Sequence, residues 1–137
     1  MGTDSVSETG KILIDAAKLV RANAHAPYSG FHVGAALIDE TGTVYTGCNV
    51  ENAAYPEGSC AEANAIGAMV AAGGKRIVAI AAVGGGAEVE PCTPCGGCRQ
   101  RIQEFADKNT QVILIGDGGA IDCLTIAELL PAAFMLK

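Results

Sequence analysis

A chain of 137 residues with net charge −6 and no basic run is sized for one domain, residues 1–137, and lacks the basic stripe that a nucleic-acid partner requires. Half of its residues are apolar, yet none is Trp and only three each are Phe and Tyr, so the core has to be built from Ala, Val, Ile and Leu. No apolar run reaches the ~18 residues of a membrane span.

In chain order, the opening MGTDSVSETG has neither the charged nor the apolar region of a secretory signal, so the expected location is cytoplasmic. Residues 5–24 predict a helix: Ser5 and Glu8 fit a capping box, Ile12, Leu13, Ala16, Ala17, Leu19 and Val20 form one stripe, and Pro27 ends it. VGAALI (33–38) and TVYTGC (43–48) predict strands joined as a hairpin across Asp39–Gly42. An irregular polar stretch, Asn49–Ser59, leads into a helix over 61–72 that Gly73 and Gly74 stop. RIVAIAAV (76–83) and QVILIG (111–116) are apolar on every residue or nearly so, as in strands buried on both faces. Between them lie a Gly-rich loop and a helix over 96–106. AIDCLT (120–125) predicts a last short strand before a helical turn at 126–130 and Pro131. A hairpin followed by alternating helix and buried strand implies an α/β sandwich with a mixed sheet.

The chemistry concentrates in cysteines. In a reducing compartment, clustered cysteines serve more often as metal ligands or catalytic groups than as bridges. PCTPCGGCRQ (91–100) sets Cys92, Cys95 and Cys98 at two successive CxxC spacings, ahead of a helix whose free amides favour thiolates. An iron–sulfur site of ferredoxin type wants a further cysteine at position 102, which is Ile. A redox CxxC has no use for the third cysteine. A closed structural zinc on Cys60, Cys92, Cys95 and Cys98 is the serious competitor to catalysis. Against it stands SCAEANAI (59–66), where Glu62 follows Cys60 on an otherwise apolar helix start, placed to carry protons beside a metal-activated water. Cys60–x–Glu62 with Pro94–Cys95–x–x–Cys98 matches the zinc deaminase signature in its three-cysteine form. His25 and His32 stand outside any such motif, and Cys48 and Cys123 fall in strand-like runs as small buried hydrophobes.

Four segments, APYSGFHVGAAL (26–37), TGCNVENAAYPEGSCAE (46–62), PCGGCRQ (94–100) and LLPAAF (129–134), together resemble the small homotetrameric zinc-dependent cytidine deaminases. The resemblance spans nearly the whole chain. It implies a three-layer αβα sandwich around a five-stranded mixed sheet, and Zn²⁺ on Cys60, Cys95 and Cys98 with water in the fourth position. Glu62 would shuttle protons while hydroxide attacks C4 of a free nucleoside in pyrimidine salvage. It further implies that Asn49 and Glu51 bind the ribose 3′-hydroxyl, Phe31 lies against the base, and the Ala61 carbonyl accepts from the 4-amino group. Tyr55 and Phe134 would complete sites across subunits. The excess negative charge of three thiolates would fall to Arg99, because Ala63 stands where many relatives have Arg; Glu57–Gly58 also departs from the commoner pattern. The same chemistry on another aminated heterocycle, such as a nucleoside antibiotic, and a non-enzymatic Cys₄ zinc domain are the alternatives.

Overall fold

Two apolar runs buried on both faces, Ile77–Gly85 and Gln111–Ile115, decide the architecture. The computed structural model describes residues 7–136. In chain order it contains α1 (Glu8–Arg21), β1 (His32–Asp39), β2 (Val44–Cys48), a 3-10 turn (Tyr55–Glu57), α2 (Ala61–Ala71) and β3 (Ile77–Gly85). There follow α3 (Gly96–Phe105), β4 (Gln111–Ile115), a second 3-10 turn (Asp117–Gly119), β5 (Ile121–Thr125) and α4 (Ile126–Leu129). The five strands form one sheet in the order β2-β1-β3-β4-β5; β3 and β4 are parallel and every other pair is antiparallel.

Successive residues of a strand face opposite ways. Ile80, Ala82, Val112 and Leu114 therefore enter one core with Ala65 and Met69 of α2 and Ile102 of α3. Ala79, Ala81, Val83, Ile113 and Ile115 enter a second core with Leu13, Ile14 and Ala17 of α1. Helices cover both faces of the sheet, which is the three-layer αβα sandwich with a mixed five-stranded sheet that the sequence predicts.

The first helix is shorter than expected at both ends. Ser5 lies outside the described residues, and the cap is Ser7, whose hydroxyl accepts the Gly10 amide at 3.2 Å. At the other end the helix stops at Arg21, well before Pro27, because the next residues are pulled into backbone pairing. His25 donates its amide to the Asn49 carbonyl (3.0 Å) and accepts that of Glu51 (2.8 Å). This bridge brings the polar stretch after β2 alongside the segment that carries Phe31.

Two glycines set how closely helices approach the hairpin. A Cβ on Gly34 of β1 would lie 2.0 Å from the Ala17 carbonyl oxygen of α1. One on Gly47 of β2 would lie 2.5 Å from the Ala65 nitrogen and 2.6 Å from the Ala61 oxygen of α2. The start of α2 thus rests on bare backbone. Asn64 adds a tether, donating to the Cys48 carbonyl at 2.7 Å and the Ser59 hydroxyl at 3.1 Å.

Candidate metal and active site

Two helix N-termini converge to make the site. Cys60 is the N-cap of α2 and Cys95 the N-cap of α3, each extended immediately before its helix. Their sulfurs are 3.9 Å apart. Cys98, in the first turn of α3, is fully buried, and its sulfur and those of Cys60 and Cys95 all lie within 4.8 Å of one another. Tetrahedral zinc with Zn–S bonds of ~2.3 Å holds its sulfurs ~3.8 Å apart, so both the donor type and the span suit that ion. Cys92 is half-buried beside Gly84 and does not join this group. The closed four-cysteine centre is therefore not what these side chains build.

The three thiols differ in how readily they ionise. Burial pushes the Cys60 thiol up; burial, then the charges of Glu62 and Cys60, push the Cys98 thiol much further. At Cys95 burial also acts upward, but the Cys98 amide and the neighbouring thiols outweigh it and hold that thiol below its ordinary value. Of the three, Cys95 is the thiol that ionises most readily.

Glu62 sits in the first turn of α2 at 4% exposure. Burial pushes its carboxyl above the usual range, against the pull of its own amide, the Cys98 thiol and Arg101. A cleft of about 330 Å³ opens onto Glu62, Cys60 and Cys95, a size suited to a small ligand. Phe31, Asn49, Glu51, Tyr55 and Ala61 line the same cleft.

Asn49 and Glu51 are engaged by the protein itself. The Asn49 amide accepts from the Val33 amide (2.8 Å) and donates to the Phe31 carbonyl (2.9 Å), clamping the backbone on both sides of His32. The Glu51 carboxylate accepts the amides of Tyr28 (3.0 Å) and Ser29 (3.1 Å) and, closer still, the Ser29 hydroxyl. These bonds hold its carboxyl below the usual range, the Ser29 hydroxyl foremost. Asn49 keeps one acceptor and one donor direction, and Glu51 one acceptor direction, for a ligand. Tyr55 is 75% exposed at the mouth, edge-on to Tyr28 with ring centroids 5.9 Å apart. Phe134 is 70% exposed and lies away from this cleft, along α3, where its carbonyl accepts from Gln100 at 3.3 Å.

Arg99 does not turn toward the sulfurs. Its guanidinium donates to the carbonyls of Pro94 and Leu129, both at 2.8 Å, and to the Thr93 hydroxyl at 3.2 Å. It fastens the Cys95 loop to the end of α4, and none of these bonds goes to a sulfur of the cluster. The guanidinium that reaches a ligand sulfur is that of Arg101, 3.4 Å from Cys98. Its only trace in the sequence is helical spacing, three residues beyond Cys98. Neither histidine joins the site: His25 serves through its backbone, and the His32 carbonyl accepts from Arg21 at 3.0 Å. Cys48 is half-buried in β2 and Cys123 is buried in β5.

Residues 7–114 match the family model of the cytidine and deoxycytidylate deaminase zinc-binding region. The chain belongs to this family. It is 46% identical over 123 residues to a cytidine deaminase of Sporosarcina psychrophila, covering 89% of this chain and 88% of the relative. The crystal structure of cytidine deaminase from Burkholderia pseudomallei superposes with a TM-score of 0.82 at 44% identity, covering 90% of this chain and 98% of that one. A more distant relative, the blasticidin-S deaminase of Bacillus cereus, is 33% identical over 109 residues, covering 75% of this chain and 76% of its own. The Cys60–Cys95–Cys98 group fits the zinc ion of that family region. Among the described residues no helix is long and apolar enough to cross a membrane.

Proposed function

We propose that this chain hydrolyses cytidine, and deoxycytidine with it, to the corresponding uracil nucleoside and ammonia. The observation that carries the reading is a buried carboxyl, Glu62, two residues from one of three convergent cysteines in a cleft of nucleoside size. Cys60, Cys95 and Cys98 would hold the zinc, which when bound would supply a Lewis acid that makes water acidic near neutral pH. Glu62 takes the proton that the attacking water loses as its oxygen bonds to C4, and delivers it to N3 of the ring. It then takes the remaining proton from the C4 hydroxyl and passes it to the departing amino group; the C4–N4 bond breaks, the C4 oxygen becomes the carbonyl, and ammonia leaves. Burial favours a carboxyl able to hold a proton through these transfers.

The remaining roles follow the cleft. Phe31 lies against the base, the Ala61 carbonyl accepts from the 4-amino group, and Asn49 and Glu51 take the ribose 3′-hydroxyl with their free hydrogen-bonding directions. Tyr55 and Phe134, both exposed on this chain, fit a homotetramer in which neighbouring copies finish each site. The proposed setting is cytoplasmic pyrimidine salvage by a single domain.

Glu62→Gln tests the reading. Zinc content should stay at wild-type level while cytidine turnover, followed by ultraviolet absorbance, falls by ~10²–10⁴-fold; near-normal turnover would sink the mechanism. The likeness to a blasticidin-S deaminase supports a second reading, the same chemistry on a nucleoside antibiotic. Ammonia release from a panel of cytidine, deoxycytidine and that antibiotic separates the two.

A further inference from the structure

Three thiolates on one Zn²⁺ leave a net negative charge, and an ionised Glu62 beside them adds another. Such a site holds its metal as a weak Lewis acid unless positive charge reaches the sulfurs. The nearby candidates can be sorted by where they point. Arg99 spends its donors on two carbonyls and a hydroxyl. Ala63, next to Glu62, has no donor to offer. Arg101 donates to the Cys98 sulfur at 3.4 Å.

The path of that side chain is itself provided for. A Cβ at Gly97 would stand 3.3 Å from the Arg101 Nη1, closer than a relaxed contact allows, so the absent side chain at Gly97 leaves the guanidinium its place. Cys98 is fully buried, which keeps water from competing for its sulfur. The guanidinium is charged at all accessible pH values and its charge cannot be lost during turnover.

We infer that Arg101 is the residue that draws electron density from the zinc thiolates, through Cys98, taking the charge-offsetting role in this chain; the inference rests on the zinc deaminase reading above. Arg101 touches neither substrate nor the reacting atoms, so it is a positioning residue acting through a ligand. A charge-assisted hydrogen bond to thiolate makes that sulfur a poorer donor and leaves the metal more acidic.

The experiment compares wild type with Arg101→Gln and Arg101→Lys, as the zinc enzymes for kinetics and as cobalt(II)-substituted proteins for absorption. For Gln we expect kcat to fall by about 10- to 100-fold with KM changed less than about threefold. The sulfur-to-cobalt charge-transfer band should move to longer wavelength, since a sulfur without its donor gives up charge more easily. Lys keeps the positive charge and should fall between wild type and Gln in both readouts. A Gln variant with wild-type kcat overturns the assignment. So does lost activity with an unmoved band, which marks a merely structural residue, or a Lys variant no better than Gln. Absence of any charge-transfer band in wild type would overturn the zinc reading itself, and this inference with it.

Discussion

Gly47→Ala is the sharpest probe of how the fold holds the site. The added Cβ would meet only backbone: the Ala65 nitrogen at 2.5 Å, the Ala61 oxygen at 2.6 Å and the Asn64 carbonyl carbon at 2.9 Å. Ordinary contact begins near 3.4 Å, so the first turn of α2 has to back away from β2 by ~0.9 Å. No flexible side chain is available to absorb the displacement. Overpacking of this kind costs about 1–3 kcal/mol, or a Tm lower by roughly 3–15 °C in a domain of this size. That turn also carries Glu62 and follows Cys60, and a misplacement of ~1 Å at a reacting group can cost ~10²-fold in rate. Thermal melting and cytidine turnover on the purified variant measure both effects. Gly67→Ala is the control: it lies in the same helix with nothing within 4 Å of a new Cβ, and should be neutral or slightly stabilising. A Gly47→Ala protein with wild-type Tm and kcat would refute the claim that bare backbone at β2 positions the turn that carries Glu62.

Cys92→Ser should retain zinc at one equivalent per chain and most of its activity, because the Cys92 sulfur stands outside the metal-ligating group; metal analysis showing loss of zinc would restore the closed-site reading. Asp39 makes a prediction about acid. The Thr41 hydroxyl foremost, with the Thr43 and Thr41 amides, outweighs burial and holds its carboxyl below the usual range, so its folded pKa is below the unfolded value of ~3.9. The stability it contributes is therefore fully present above about pH 4 and is lost as pH falls through the folded pKa. Urea midpoints of metal-free wild type and Asp39→Asn should differ by a constant amount from pH 5 to 8 and converge at lower pH; a gap that widens on acidification would reverse the sign of the argument.

Strands and helices were legible where one physical signal dominated. The runs at 76–83 and 111–116 are apolar on successive residues because both faces of β3 and β4 are covered, and this distinguishes them from the partly exposed β2. The end of α1 was not legible. What stops it is pairing of His25 with residues some twenty-five positions away, and neither Pro27 nor any local propensity records that. At the site, the ligand cysteines and Glu62 stood out because cysteines at CxxC spacing and an acid on an apolar helix are conspicuous. Arg99 and Arg101 are a different case. Both lie near Cys98 in the chain, and only their directions on α3 separate them, one toward the backbone of Pro94 and Leu129 and the other toward sulfur. Adjacency in the chain pointed to Arg99, whereas the hydrogen bond to a cysteine sulfur comes from Arg101.

The double engagement of Asn49 has a consequence for how this enzyme could change its diet. Its amide holds the backbone at Phe31 and Val33 in place while it faces the cleft, and Glu51 does the same for Tyr28 and Ser29. A substitution that altered sugar recognition would therefore loosen the platform under the base as well. If Asn49 and Glu51 take the sugar as proposed, sugar and base preferences are mechanically one trait here, and a route to a substrate with a different sugar has to begin with changes that anchor the 28–33 segment by other means.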